Sequence, residues 1–489
     1  MRYVLYALLA VVCIFVICLV VAVIRAIKIK AKPAEGEGKA TYTPEEEAKY
    51  AKMLSAMVQV PTISVPESEK AGKEVDISEF DKLQAVMEEN FPLIFKNTEI
   101  TKFEGNILFR WQGKDSTKEP ILLMGHQDVV PAAETTWEHD PFSGAIEGGK
   151  VHGRGAMDCK CTVCAEMAAV EELLEEGFVP ERDVYLAYSK NEEITGGGVY
   201  KIVSYLKEKG IRLACAMDEG GGIVDGILPG MEALCAAVGI VEKGTAHLKF
   251  TAEGKGGHSS TPPKDTPIAR LSAFVCDVEK HDPFTAKFTP ALEAMFSHLA
   301  PYQTFPFRLL LGNLWLFKPL LKVAMPMVSP MAKAFLQTTC VFTMSGGSEA
   351  PNVIPDHAYV VANIRPSIHQ DLDECFSILC NIAAKYDIKG EIILGQSASA
   401  VVPLDSEELA YAGQCVKDCF PGYCFTPYLV TGGTDCRDYQ PVTDNCLRFT
   451  PIRMDSQQLA AMHAANENIN TDAVAQGVKY YKYFIKNHK

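Results

Sequence analysis

The chain is short of positive charge: 47 Lys and Arg stand against 61 Asp and Glu in 489 residues, a formal net charge of −14. Phosphate binding rests on clustered Lys and Arg, and no basic patch with interleaved aromatics occurs, so a nucleic-acid partner is excluded. The sequence has no internal repeat, which removes solenoid and propeller architectures. Gly220-Gly221-Gly222 lacks the G-x-G-x-x-G spacing ahead of a helix and is not a dinucleotide fingerprint. The 16 cysteines show no framework spacing, as in proteins of a reducing compartment. What remains, 48% hydrophobic and 22% charged residues, is the composition of a globular protein. Its length exceeds what one core supports, so two domains with appendages are expected.

Val4 to Ile24 is an unbroken apolar run, and about twenty such residues make one membrane-spanning helix. It is too long for a typical signal-peptide core, and no small-residue cleavage site follows it. The reading is a single-pass anchor at 4–24 with a linker at 25–42. Arg25, Lys28, Lys30 and Lys32 outnumber Arg2 on the other flank, which by the positive-inside bias leaves the main body in the cytoplasm.

Beyond the linker, Thr43-Pro44-Glu45-Glu46 opens a helix as a capping box with proline in the first turn. Strands are expected at Ile107–Gln112 and Ile121–Gly125. The second ends in His126-Gln127-Asp128, and a His-x-Asp on an extended segment puts both side chains on one face. The pair either binds a metal directly, or His126 binds it while Asp128 fixes the imidazole tautomer. Asp158 follows a glycine loop and precedes a long helix through Glu176, where an aspartate alone reads as an N-cap. Further strands, Asp183–Lys190 and Leu213–Met217, end in Glu192-Glu193 and Asp218-Glu219. Successive αβ units thus deliver acids or imidazole to one edge of a parallel sheet. With a late His463, the set His126, Asp158, Glu193, Asp218 and His463 suits zinc, and five ligands suit two ions sharing a carboxylate. Cys159, Cys161 and Cys164 read as small buried packing residues rather than a sulfur site. His139 reads as a loop or substrate-wall residue.

The motifs Gly125-His-Gln-Asp-Val-Val-Pro131, Gly153-Arg-Gly-Ala-Met-Asp-Cys-Lys160, Asn191-Glu-Glu193, Asp218-Glu-Gly220, Gly256-Gly-His-Ser-Ser260 and Gly432-Gly-Thr-Asp435 resemble those of the dizinc exopeptidases and aminoacylases. The closest likeness is to the carboxypeptidase S branch with its dimerisation-type lid. The resemblance implies an α/β fold: a mainly parallel sheet with helices on both faces, catalytic segments at 43–242 and 368–489, and an α+β lid at 243–367. It implies two Zn²⁺ ions, replaceable by cobalt or manganese. His126, Asp158 and Asp218 would hold one ion, and Asp158, Glu193 and His463 the other. Glu192 would be the general base, Asp128 the orienter of His126, and His258 the oxyanion stabiliser, reaching across a lid-mediated homodimer. Asn352, Arg365, Gly433 and Thr434 would meet substrate, Arg365 gripping a free carboxylate. A cis Asp158-Cys159 peptide is implied as well.

The expected activity is hydrolysis of an amide beside a free carboxylate, of carboxypeptidase or dipeptidase type. The alternative is an aminoacylase acting on N-acyl amino acids, including fatty-acyl ones. An alternative of another class, a silent peptide-binding relative, predicts a missing ligand or base, whereas all are present. The branch places its members in a lumen or outside the cell, against the charge bias at the anchor. An apolar stretch at Phe305–Val328 reads as lid core or dimer contact. Its functional reading is an acyl pocket or a bilayer contact.

Overall fold

The computed structural model describes residues 2–31, 38–65, 76–133, 135–194 and 197–489; residues 32–37 of the expected linker lie outside them. The apolar run forms a single helix, α1 (Arg2–Lys28), whose large side chains from Tyr3 to Val21 are almost all exposed. α2 (Pro44–Val58) starts on the expected capping box. Thr43 Oγ1 accepts the Glu46 N–H at 3.2 Å, and Glu46 Oε2 accepts the Thr43 N–H at 2.8 Å. Tyr50, Leu54, Met57 and Val58 form its buried face and pack on α3 (Lys160–Glu175).

The main sheet is built in chain order from β1 (Glu99–Phe103), β2 (Asn106–Trp111), β3 (Ile121–His126), β4 (Val184–Ser189), β5 (Cys215–Val224) and β6 (Cys235–Glu242). After β6 the chain enters the smaller unit. There β7 (Thr245–Glu253), α4 (Pro267–Lys280), β8 (Thr339–Gly346), β9 (His357–Arg365), α5 (Leu372–Ala383) and β10 (Ile388–Gln396) make an antiparallel sheet of order β8-β9-β7-β10. The helices α4 and α5 pack on it over Leu248, Phe250, Phe274, Ile364 and Leu379. The chain returns with β11 (Cys424–Val430) and β12 (Cys446–Met454) and closes on α6 (Thr471–Asn487). The main sheet has the order β1-β2-β4-β3-β5-β12-β6-β11, and its central β4, β3, β5 and β12 run parallel. Every residue of β3 is buried, which is why that strand reads as a continuous apolar run rather than an alternation.

Two segments lie elsewhere than the sequence boundaries put them. The strand β10 lies in the segment expected to belong to the second catalytic part, 368–489, but it completes the sheet of the smaller unit, which therefore extends past residue 367 to 396. A short apolar run shows that a strand exists without showing which sheet it joins. Conversely, the helices Pro290–Leu299, Phe305–Leu311, Leu314–Val328 and Pro330–Leu336 sit inside the lid in sequence, yet pack into the main core through Leu292, Met295, Phe296, Leu311, Leu321 and Phe335. The first of them covers β11, the edge of the main sheet, where unpaired backbone would otherwise invite association.

Candidate metal centre

The parallel strands end together, and their carboxyl ends carry the site. His126, the last residue of β3, is buried. Its Nδ1 faces the Asp128 backbone carbonyl at 2.9 Å, with the Asp128 carboxylate at 3.4 Å. An N–H directed at that carbonyl leaves Nε2 as the ring's lone-pair nitrogen. Nε2 in turn faces two carboxylates, Asp158 Oδ1 at 3.0 Å and Glu219 Oε1 at 3.3 Å.

Asp158 does not act as the cap of α3. The cap residue is Cys159, without a side-chain bond, and the Asp158-Cys159 peptide is cis, as implied. The second Asp158 oxygen, Oδ2, lies 3.1 Å from His463 Nε2, which is also 3.1 Å from Glu193 Oε2. Two groups of ligand atoms, each within 4.8 Å of one another, therefore share Asp158: His126, Asp158, Cys159 and Glu219 on one side, and Asp158, Glu193 and His463 on the other.

The sequence reading placed Asp218 in the first group, and the geometry places Glu219 there instead. β5 does not stop at Met217 but runs to Val224, so both acids lie within the strand and point to opposite sides. Asp218 Oδ2 is turned away to accept the Cys436 N–H at 2.8 Å.

The residues present fit metal ions. The oxygen and imidazole donors are those zinc takes, and Glu193 Oε1 is buried without a hydrogen-bond partner. Held by protein atoms alone, the carboxylates repel one another. Burial, reinforced by the Asp158 charge, pushes Glu219 up to about 8. Burial with Asp435 pushes Asp218 up to about 7. Burial likewise raises Glu192, aided by Glu219, Asp435 and Asp158. His463 is pushed up to about 10 by its bonds to Asp158 and Glu193. Such a nest calls for positive charge, which divalent cations supply.

Residues 122–487 match Peptidase family M20/M25/M40. The chain belongs to this family. Its members depend on metal, generally zinc, and the chain is a metal-dependent peptidase or amidohydrolase. The N-fatty-acyl-amino acid synthase/hydrolase PM20D1 of Homo sapiens is 32% identical over 454 residues, which cover 91% of this chain and 89% of that protein. Carboxypeptidase S of Saccharomyces cerevisiae is 27% identical over 482 residues, covering 88% and 83%. Among solved structures, the M20 family metallo-carboxypeptidase Sso-CP2 from Sulfolobus solfataricus has a TM-score of 0.65 at 19% identity, covering 91% of this chain and 99% of that one, a likeness of fold.

Within this peptidase-family frame, Asp128 holds more than the imidazole. Its two carboxylate oxygens accept the Glu192 and Glu193 N–H groups, each at 3.2 Å, fixing the turn that presents both acids. The Gly433-Thr434 loop is held by Glu242, which accepts the Thr434 N–H at 2.8 Å and the Arg448 guanidinium at 2.6 Å. Arg365, at the end of β9, is half-buried, and among the described residues no carboxylate pairs with it. His258 stands exposed on the lid with Nδ1 facing Ser260 Oγ at 2.8 Å. The Asn352 carbonyl accepts the Ser259 N–H beside it at 3.1 Å. Neither residue reaches the metal-ligand groups through a hydrogen bond among the described residues.

Sequence reasoning missed two residues. Glu467, fully buried, accepts the Met157 and Asp158 N–H groups at 2.9 and 3.1 Å and the Arg154 guanidinium at 2.8 Å. Asp435 accepts the Ser189 hydroxyl at 2.5 Å beside the acids. Glu467 lies four residues after His463 and Asp435 one after Thr434, but nothing in their spacing tells a ligand from its support.

Proposed function

We propose that the chain hydrolyses the amide bond of N-acyl amino acids, fatty-acyl ones among them, at a two-zinc centre. The observation that carries this reading is Asp158, whose two oxygens face two different imidazoles. His126, Asp158 and Glu219 would hold one ion, and Asp158, Glu193 and His463 the other. When bound, such ions polarise a carbonyl and lower the pKa of water.

The remaining roles fall to the chain's own side chains. Glu192 sits beside a ligand with a raised carboxyl, a setting suited to taking a proton from the attacking water and passing it to the leaving nitrogen. Asp128 keeps Glu192 and Glu193 in place through their backbone. Arg365 takes the free carboxylate in a two-pronged grip, and Gly433, Thr434 and Asn352 line the path of the rest of the substrate. His258, carried by the lid, meets the developing oxyanion, from a second copy of the chain if the lid mediates a homodimer.

The choice of acyl amino acids over peptides is supported by the N-fatty-acyl-amino acid synthase/hydrolase relatives, which match at 31–32% identity over most of both chains, against 30% for a probable carboxypeptidase S-like protein of Dictyostelium discoideum. The peptide reading keeps its support from carboxypeptidase S and from the solved carboxypeptidase fold. α1 fits a membrane anchor by length and composition. The test is release of free amino acid from acyl amino acids of graded chain length, against a dipeptide panel, with and without chelator. Turnover of dipeptides alone would overturn the acyl reading. Full activity in a zinc-loaded Glu192→Gln variant would overturn the general base.

A further inference from the structure

The helix Leu314–Val328 carries an apolar row on its outer side. Trp315, Pro319, Val323 and Met327 follow at four-residue spacing, which aligns them on one face of a helix, and all are exposed, Val323 at 65% and Met327 at 80%. Leu320 and Val328 widen the row, and Phe305, Phe307 and Met331 extend it onto the flanking helices. The opposite side is spoken for, with Leu314 and Leu321 buried in the main core and Phe317 and Met325 packed against it. A contiguous apolar face of this kind marks an interaction site.

The structure also shows what lies next to that face. α1 leaves its exposed apolar stretch at Ala22, and there it is gripped: Ala22 and Ala26 are fully buried, and the Asn313 amide donates to the Ala22 carbonyl at 3.0 Å. The Ala31 N–H donates to the Pro301 carbonyl at 2.9 Å. Gly312 permits the approach, because a Cβ there would stand 2.5 Å from Ile29 Cδ1. A hydrocarbon core takes roughly twenty helical residues, and counted from Arg2 these end at the turn held by Asn313. The helix Phe305–Leu311 therefore ends, and Leu314–Val328 begins, at the level where α1 leaves the membrane. The exposed Arg25 and Lys28 of α1 supply positive charge near that level, and Trp315, whose indole N–H donates to Asn313, stands at the same turn, the mixture found at lipid headgroups.

We infer that the outer face of Phe305–Val328 lies in the bilayer interface, so that the enzyme is seated on the membrane surface rather than tethered above it. This rests on reading α1 as an anchor. It gives the seat a use: the next helix, Pro330–Leu336, ends where Lys243 Nζ donates to the Ala334 and Gln337 carbonyls at 3.0 and 2.8 Å, and Lys243 is a charge neighbour of Arg365. An amphiphile of the bilayer would then meet the run of helices that ends at Lys243.

The experiment uses the full chain in vesicles of phosphatidylcholine and phosphatidylserine, with and without lipids brominated high on the acyl chain. Flotation reports whether α1 holds the vesicle, and brominated lipid quenches tryptophans in the interface. The expected result is flotation with loss of roughly a third of the emission, the share of one tryptophan among three, a loss abolished in Trp315→Phe and at least halved in Val323→Asp. Flotation with no quenching, or with quenching equal in Trp315→Phe, overturns the seated face and leaves the anchor standing. Absence of flotation overturns both.

Discussion

Glu467 reaches across 309 positions of sequence to accept the backbone N–H of Asp158 at 3.1 Å. The same carboxylate binds the Met157 N–H and Arg154, so the loop that carries His463 and the loop that carries Asp158 are fastened at one buried point. Neither loop is regular structure, and the distance between the Asp158 oxygens and both imidazoles depends on that fastening. Glu467→Ala is expected to lower metal affinity about 10- to 100-fold, the usual cost of removing a group that supports ligands. Zinc retained during dialysis against graded chelator measures it, and retention equal to the parent's would show that Glu467 serves stability alone.

Glu219→Gln and Asp218→Asn separate the two adjacent acids of β5. If Glu219 is a ligand, its variant binds one zinc fewer per chain by elemental analysis. Asp218→Asn retains the parent's zinc and loses stability instead, since Asp218 accepts the Cys436 N–H. The reverse pattern would return Asp218 to the ligand set.

Arg365→Ala is expected to raise KM for an acyl amino acid about 10- to 100-fold, the scale of a lost charged hydrogen bond, with a smaller effect on kcat. Arg365→Lys recovers only part, because an ammonium cannot make the planar two-pronged grip. The preference for the free acid over its amide should collapse in Arg365→Ala; an unchanged preference would assign the carboxylate to another group.

Acid stability carries a signature of Glu172. Burial works to raise its carboxyl, but bonds to Lys482, Tyr50 and Lys479 overcome this and hold it at about 2, against an ordinary 4.5. A depressed folded-state value means the stabilisation is complete above pH 4.5 and is lost as pH falls toward 2. The difference corresponds to on the order of 3 kcal/mol. Glu172→Gln should melt below the parent at pH 7, and the two melting curves should converge as pH drops through that window. A constant gap would place the effect in packing rather than charge.

The sequence alone carried part of the inventory of the site. The apolar run ending in His126, the acids after successive strands and the late His463 were legible because a parallel sheet must gather its carboxyl ends at one edge. The capping box at Thr43 was legible too, since its bonds span only three residues. Tertiary structure decided the rest. Strand period shows that Asp218 and Glu219 face opposite ways, but only the continuation of β5 to Val224 and the position of Cys436 settle which of them faces His126. Residues 388–396 could pair with either sheet by pattern, and the exposed edge of β7 claimed them. The apolar row of Leu314–Val328 has the composition of a core helix, and only its packing leaves Val323 and Met327 bare. The physical reason is common to all three: periodicity fixes which residues share a face, whereas what that face meets depends on segments hundreds of residues away.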